Sequence, residues 1–410
     1  MTTENALFQG ILWVASELYS PDEQATSVFM TNLAEGLAKR NINVKAITTQ
    51  LSSNKESKKG LLNNVKVLRC WATTNNKNLI LGRLLNGITG NITMMCAALW
   101  NIKRGDIALV VTNPPTLPFV ILLACLIKKA KCIVRVDDVY PDMLVACEFC
   151  PKSSIIYKTF DLLWVYILKN ADEIITLSQD MKDRIEQKTK NMTEIRVIPN
   201  WGDLDQIRPD PKMGKTFLKK YGLSNKFVLL WAGNMGYPHD VETLLYAMAK
   251  ISDTPEVHWL FIGSGAKRLW LERQVADRGL KNATFLGPLP RAQQQTFLSA
   301  CDIGLSSLVS GMTGISVPSR SYNILCAGKP ILAVGEPSGE ISRLILANNV
   351  GWVVSPGDSD GICTIIKEIL NNRTSLIEKS VRARNVVEQN YSKEKILNGY
   401  VELITKTMLN

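Results

Sequence analysis

The sequence predicts an α/β chain made of two parallel-sheet domains, and three observations carry that expectation. Short apolar runs alternate with amphipathic stretches throughout, the pattern of helices covering a parallel sheet. The alternation stops at WGDLDQIRPDPKM, residues 201–213, where prolines and acids suggest a linker, and then it restarts. At 410 residues the chain also exceeds one comfortable core.

Taken in order, GILWVAS, NVKAITT, ALVVTN, CIVRVDD, EIITLS and IRVIPN are short, apolar and rich in β-branched residues, so each reads as a strand. Between them, SVFMTNLAEGLAKRN, LLNGITGNITMMCAALWNI, PFVILLACLIKK, IIYKTFDLLWVYILKN and the stretch from Gln179 read as helices. After the linker, FVLLWAG, VHWLFIG, ATFLG, IGLSSL, ILAVG and GWVVSP are the strands. VETLLYAMAKI, AKRLWLERQVADRG, RAQQQTFLSAC and VPSRSYNILCAGK are the helices, the last opened by a proline and closed by a glycine. A helical region over residues 361–410 completes the chain. The expected division is residues 1–200, residues 201–385 and a C-terminal helix over 386–410 that packs back on the first domain.

Composition removes several chemistries. The nine cysteines are irregularly spaced and mostly lie in apolar runs, as reduced, buried thiols do. Cys147 and Cys150 make a lone CxxC, and His239 and His258 are the only histidines, so neither a metal site nor a histidine-dependent triad is expected. The N-terminus lacks the basic start and apolar core of a signal peptide. The longest apolar run, PFVILLACLI, has about half the length needed to span a bilayer. A cytoplasmic chain is therefore expected.

The net charge of +11 is concentrated. Residues 57–136 hold one acid, Asp106, against twelve bases: Lys58, Lys59, Lys66, Arg69, Lys77, Arg83, Lys103, Arg104, Lys128, Lys129, Lys131 and Arg135. Such a field is either a solvated basic surface or one that attracts anionic lipid headgroups or an anionic acceptor. No nucleic-acid module accompanies the bases, and nucleic acid is not an expected partner.

Several βα junctions carry candidate ligands, because tandem open sheets place ligand at the carboxyl ends of their strands. In YSPDEQATS, Thr26 and Ser27 read as helix caps whose neighbouring amides could take a phosphate or a sugar hydroxyl. Asp137 and Asp138 end a strand, and adjacent residues point to opposite faces, so one of them at most faces substrate. In WAGNMGYPHD, Gly233 and Gly236 flank Asn234 and allow close approach of backbone to a diphosphate. Gly263 and Gly265 form a lone GxG, either a tight turn or a phosphate loop, followed by Lys267 and Arg268 as solvated or anion-facing bases. In SGMTGISVPSR, Gly311, Gly314 and Ser316 directly precede a helix, an arrangement suited to an anion.

YSPDEQATS, VDDVYPD, ADEIITLSQDM, VIPNW, LLWAGNMG, LFIGSGA, FLGPLP, CDIGLSS, VPSRSYNILCAGKPI and GWVVSPGD, in this order and spacing, resemble glycosyltransferase family 4. The likeness covers nearly the whole chain. It implies the GT-B fold, two Rossmann-like domains facing across a cleft, and a retaining enzyme independent of metal and cofactor. It further implies a nucleotide-diphosphate sugar donor, most naturally a UDP-sugar such as UDP-glucose or UDP-N-acetylglucosamine. The acceptor would be lipid-linked or polysaccharide, in bacterial surface or exopolysaccharide assembly. The basic first domain would then lie peripherally on the inner face of the plasma membrane.

The same resemblance assigns roles. Asp138 would bind the acceptor hydroxyl, with a general-base role open to it, and the backbone of Gly287, Pro288 and Leu289 would recognise the base. Family members often place an arginine where Asn234 stands and a lysine near His239, and this chain has neither. Arg320 is the leading substitute for phosphate binding. The family's glutamate–seven residues–glutamate motif falls on Ile315 and Asn323, so both acids are missing. Asn323 can still hydrogen-bond a ribose diol. Two other readings stay open: a nucleotide-sugar 2-epimerase, which would need His239 in its site, and a non-catalytic glycosyltransferase-like partner. A dinucleotide dehydrogenase is disfavoured, since no GxGxxG follows the first strand.

Overall fold

The computed structural model describes residues 10–50, 60–62, 64–75, 80–191 and 193–409. Its contacts divide the chain into two units. The first comprises Met1–Pro141, Ser153–Ile198 and Leu397–Asn410; the second comprises Asp142–Lys152 and Pro199–Ile396. Residues 142–152 and 397–410 are thus excursions from a simple division along the chain.

The first unit holds an eight-stranded sheet. Its strands are β1 Leu12–Ala15, β2 Val44–Thr49, β3 Gly60–Leu62, β4 Val65–Cys70, β5 Ile107–Val111, β6 Lys131–Val136, β7 Glu173–Thr176 and β8 Ile195–Val197. The order is β3-β4-β2-β1-β5-β6-β7-β8, parallel except for the β3–β4 hairpin. Strand order reverses between β1 and β5, which defines the switch point of this sheet. Fully buried runs such as IALVV in β5 explain the continuous apolar strands of the sequence. β3 and β4 were not among the expected strands. Lys66 and Arg69 interrupt the apolar run of β4, which an outer strand tolerates because it is only partly covered.

The second unit holds a wholly parallel six-stranded sheet. It consists of β9 Phe227–Ala232, β10 Val257–Ile262, β11 Ala283–Leu286, β12 Ile303–Ser307, β13 Ile331–Val334 and β14 Gly351–Val354. The order β11-β10-β9-β12-β13-β14 is that of a dinucleotide-type doubly wound sheet, with its switch point between β9 and β12. Trp231, Trp259 and Phe261 pack with Leu244, Leu245 and Met248 of the helix Glu242–Lys250. Each such side chain contributes about 1.5–3 kcal/mol by leaving water. Asp240 starts that helix by accepting from the Thr243 amide at 2.8 Å and its hydroxyl at 2.6 Å.

The expected linker is shorter than residues 201–213 suggested, since a helix Pro211–Lys220 begins inside it. Asp210 accepts the Met213 amide at 2.9 Å and Pro211 fills the first turn, so the same proline that reads as loop opens a helix. Gly202 is also tightly packed, because a Cβ there would come within 2.3 Å of the Cys326 sulfur. Two further helices among the described residues were not expected either, Asp142–Ala146 and Glu340–Asn348. The terminal region divides into Ser359–Asn371, Thr374–Asn390 and Lys393–Leu409.

From Leu397 onward the last of these belongs to the first unit. Leu397 lies against Gly36, where a Cβ would approach its Cδ1 to 2.6 Å. Tyr400 is fully buried beside Arg135 and Asp137, and Lys406 pairs with Glu194.

Candidate functional site

In the second unit the loops after β9, β10 and β12 converge. Gly233 donates to the Ile262 carbonyl at 2.8 Å and Met235 to that of Ser264 at 2.7 Å, so the loops after β9 and β10 run together beyond the sheet. This closeness requires glycine. A Cβ on Gly263 would stand 2.1 Å from the Gly233 carbonyl oxygen, and one on Gly265 would stand 2.4 Å from that of Met235. Both also have positive φ, +138° and +141°. The lone GxG is therefore a packing device between two βα loops.

Lys267 and Arg268 are committed to the same scaffold and are not solvated bases. Lys267 Nζ donates to the His239 carbonyl at 2.8 Å and to Glu242 at 3.0 Å. Arg268 pairs with Glu272 and donates to the carbonyls of Gly263 and Leu286. That clasp brings the loop of Gly287, Pro288 and Leu289 beside Gly263. Gly287 and Pro288 are exposed, and a Cβ on Gly287 would meet nothing within 4 Å, so the backbone there is open to a ligand.

Arg320 is the centre of the arrangement. Its guanidinium lies 3.9 Å from the Trp231 ring centroid, and Nη2 donates to the Asn234 carbonyl at 2.7 Å and to His239 Nε2 at 3.0 Å. Nη1 is buried and has no hydrogen-bond partner among the described residues. A cation anchored through one nitrogen, with a second left bare at the switch point, suits an anionic ligand. Burial lowers its pKa to about 9, which leaves it charged at neutral pH.

His239 completes the seat as a neutral imidazole. Nδ1 donates to the Ser307 carbonyl at 2.8 Å, which leaves Nε2 to accept from Arg320. Burial first, then the charges of Arg320 and Lys267, lower its pKa to about 3 against the opposing pull of Ser307. The unfolded chain takes up this proton near pH 6.5 and the native chain does not, so stability is lost as pH falls from about 6.5 towards 3. His239→Gln should remove about 1–2 kcal/mol of the loss seen between about pH 7.5 and about pH 5 in urea titrations. An unchanged pH dependence would refute the neutral assignment.

The turn before Arg320 is organised by Glu336, which accepts from the Gly311 amide at 2.9 Å and from the Thr313 hydroxyl. These bonds lower its pKa. Gly314 has φ +70°, and Ser316 is half-buried. Ile315 is 2% exposed, so its side chain serves the core. The helix Arg320–Cys326 has only seven residues and no side-chain cap, which moves weight for anion binding from its amides to the Arg320 guanidinium. Asn323 lies on this helix, but its Oδ1 already accepts the Asp203 amide at 3.1 Å. That oxygen has two lone pairs, so one acceptor position on Oδ1 and the Nδ2 donors remain for a ligand.

In the first unit, Thr26 and Ser27 are not caps. Gln24 is the N-cap of the helix Ala25–Ala38, and both hydroxyls lie inside its first turn. Ser27 is fully buried and donates to the Asp22 carbonyl at 2.9 Å. Thr26 receives Asn113 Nδ2 at 3.3 Å, so the loops after β1 and β5 meet at the switch point. The two aspartates divide as alternation requires. Asp137 pairs with Arg135 at 2.9 Å, and Arg135 lies 3.9 Å from the Phe29 ring centroid, which makes this pair part of the core. Burial raises the Asp137 pKa against the pull of Arg135. Asp138 follows at the strand end, its amide donating to Thr112 Oγ1 at 3.3 Å. A recess lined by Glu17, Tyr19, Asp22, Thr49, Thr73 and Asn86 had no signal in the sequence, because its members are spread over four segments.

Two doubly wound units of this topology form the GT-B fold, the architecture of nucleotide-sugar-dependent glycosyltransferases. Residues 26–206 match the Glycosyltransferase Family 4 model and residues 215–389 the Glycosyl transferases group 1 model. The chain is 31% identical over 317 residues to "Probable glycosyltransferase WbjE" of Pseudomonas aeruginosa, covering 77% of this chain and 78% of that one. It therefore belongs to the family 4 glycosyltransferases and is an enzyme of that class. It is 23% identical over 237 residues to "Putative colanic acid biosynthesis glycosyl transferase WcaI" of Escherichia coli K12, covering 57% of each. HepE of Anabaena, solved in complex with UDP, superposes with a TM-score of 0.74 at 16% identity, covering 97% of this chain and 100% of that one. Sucrose-phosphate synthase of Thermosynechococcus elongatus gives 0.79 at 16% identity, covering 97% and 99%.

Proposed function

We propose that the chain is a retaining, metal-independent glycosyltransferase that moves a sugar from a UDP-sugar to a lipid-linked acceptor in surface-polysaccharide assembly. The observation that carries the donor half is Arg320. Its bare Nη1, the exposed Gly233 and Asn234 after β9 and the open Gly287 backbone after β11 are suited to a diphosphate and its base. The guanidinium would supply the charge that a metal supplies elsewhere, stabilising the departing diphosphate. The named context of WcaI and the UDP bound in HepE support the polysaccharide and uracil parts of the reading. Asp138 is assigned to the acceptor hydroxyl. With Ile315 and Asn323 where acids would stand, attack on the same face by the acceptor replaces a double displacement.

His239 speaks against the epimerase alternative, since both ring nitrogens are engaged and a pKa near 3 makes it a poor proton acceptor at neutral pH. Incubation with UDP-glucose, UDP-N-acetylglucosamine and GDP-mannose in the presence of EDTA tests the reading. The expected result is binding and slow hydrolysis of a UDP-sugar, unaffected by the chelator, with the released sugar's anomeric configuration retained by NMR. Loss of binding in EDTA would overturn metal independence, and an epimer as sole product would overturn transfer.

A further inference from the structure

The helix Ile80–Asn101 reverses the usual rule for a surface helix. Its exposed positions among those with described side chains are Leu85, Ile88, Ile92, Cys96 and Trp100, which recur every three or four residues. From Leu84 to Asn101 it carries no charged residue. A solvated helix places its charges on such a stripe. The neighbouring helix Leu117–Lys128 repeats the pattern, with Leu123, Leu126 and Ile127 as its exposed residues. Asn91 Nδ2 donates to Thr116 Oγ1 at 2.7 Å where the two helices meet. On its other side, Phe119 stacks on Trp164 of the helix Ile155–Asn170, which exposes Leu162 and Leu163.

The charge flanking this face has one sign. Both helices return to the sheet at the amino ends of their strands. Lys103 and Arg104 follow the first helix, while Lys128 and Lys129 end the second. The nearby carboxylates are engaged: Asp106 accepts from Ile11, Trp13 and Lys103, and Asp172 pairs with Lys131 at 2.9 Å. Trp100, 89% exposed, stands in the last turn next to the basic pair, where an amphipathic ring bridges hydrocarbon and headgroup. No helix among the described residues is long and apolar enough to cross a membrane. Of the expected basic field, Lys58, Lys59 and Lys77 lie outside the described residues.

We propose that the paired helices Ile80–Asn101 and Leu117–Lys128 form a membrane-docking face that lies flat on an anionic bilayer, its leucine, isoleucine and tryptophan stripe inserted and its lysine rim on the headgroups. This deepens the membrane element of the proposed function and replaces attraction by charge alone with insertion of an apolar surface. Two independent signals, apolar stripe and basic rim, are what stable reversible anchoring needs.

The test is co-sedimentation of the full chain with phosphatidylglycerol and with phosphatidylcholine vesicles, without donor or acceptor. The wild type should prefer phosphatidylglycerol and retain part of its binding in high salt. The double variant Ile88→Glu/Ile92→Glu should lose about tenfold or more of its partitioning, and Lys103→Glu/Arg104→Glu should lose the phosphatidylglycerol preference. Both alter exposed side chains, and UDP calorimetry on each reports the donor site separately, so a failed donor reading is distinguishable from a failed docking face. Equal vesicle binding by wild type and the isoleucine variant overturns the proposal. So does a wild-type dimer that the isoleucine variant dissociates without any vesicle binding, which would make a second copy the occupant.

Discussion

Arg320→Ala is expected to weaken UDP binding by about a hundredfold, measured by calorimetry. The estimate corresponds to losing charge-assisted hydrogen bonds of about 1.5–3 kcal/mol each at a partly desolvated site. Arg320→Lys should restore little of it. A lysine cannot stack its head on Trp231, donate to Asn234 and still present a second nitrogen, whereas the planar fork does all three. The melting temperature should barely fall, since removing a buried cation offsets the lost contacts. Unchanged UDP affinity in the alanine variant would remove Arg320 from the donor site.

Gly263→Ala is expected to cost the second unit about 3 kcal/mol or more, seen as a melting shift of about 6–12 °C. The added methyl meets the backbone carbonyl of Gly233 at 2.1 Å, and no side-chain rotation relieves a clash with backbone. The positive φ adds strain of its own. Because the displaced carbonyl lies next to Asn234, UDP binding should fall with stability. Gly287→Ala is the control for the melting shift, as its Cβ enters open space. A Gly263→Ala protein with wild-type melting would show that the loops after β9 and β10 are not locked together.

Most of the architecture was legible because buried parallel strands announce themselves as short apolar runs. Failures came where one residue type serves two ends. Pro211 reads as loop punctuation until Asp210 is seen capping the helix it opens. Lys66 and Arg69 disguise β4 because an outer strand need not be apolar throughout. At the site, Gly233, Asn234 and Arg320 were visible as a motif, yet their seat was not. Trp231 looks like core and His239 like a stray titratable group until the fold stacks one beneath the guanidinium and turns the other towards it. The commitment of Asn323 to Asp203 was hidden for the same reason, as 120 residues separate them. Lys267 and Arg268 illustrate the converse: charge near a glycine turn suggested ligand, and the structure spends it on carbonyls and carboxylates.

The return of residues from Leu397 into the first unit has a consequence for biogenesis. Leu397 and Tyr400 fill places against Gly36 and beside Asp137 that were laid down some 360 and 263 residues earlier. A ribosome therefore finishes translating the whole of residues 199–396 while the earlier sheet still lacks part of its cover. The nascent first unit must wait, with an apolar gap open, for a helix that leaves the exit tunnel after its neighbour is complete. A coding sequence cut after residue 200 should for that reason yield an aggregation-prone fragment, and supplying residues 393–410 in trans is the natural rescue to attempt.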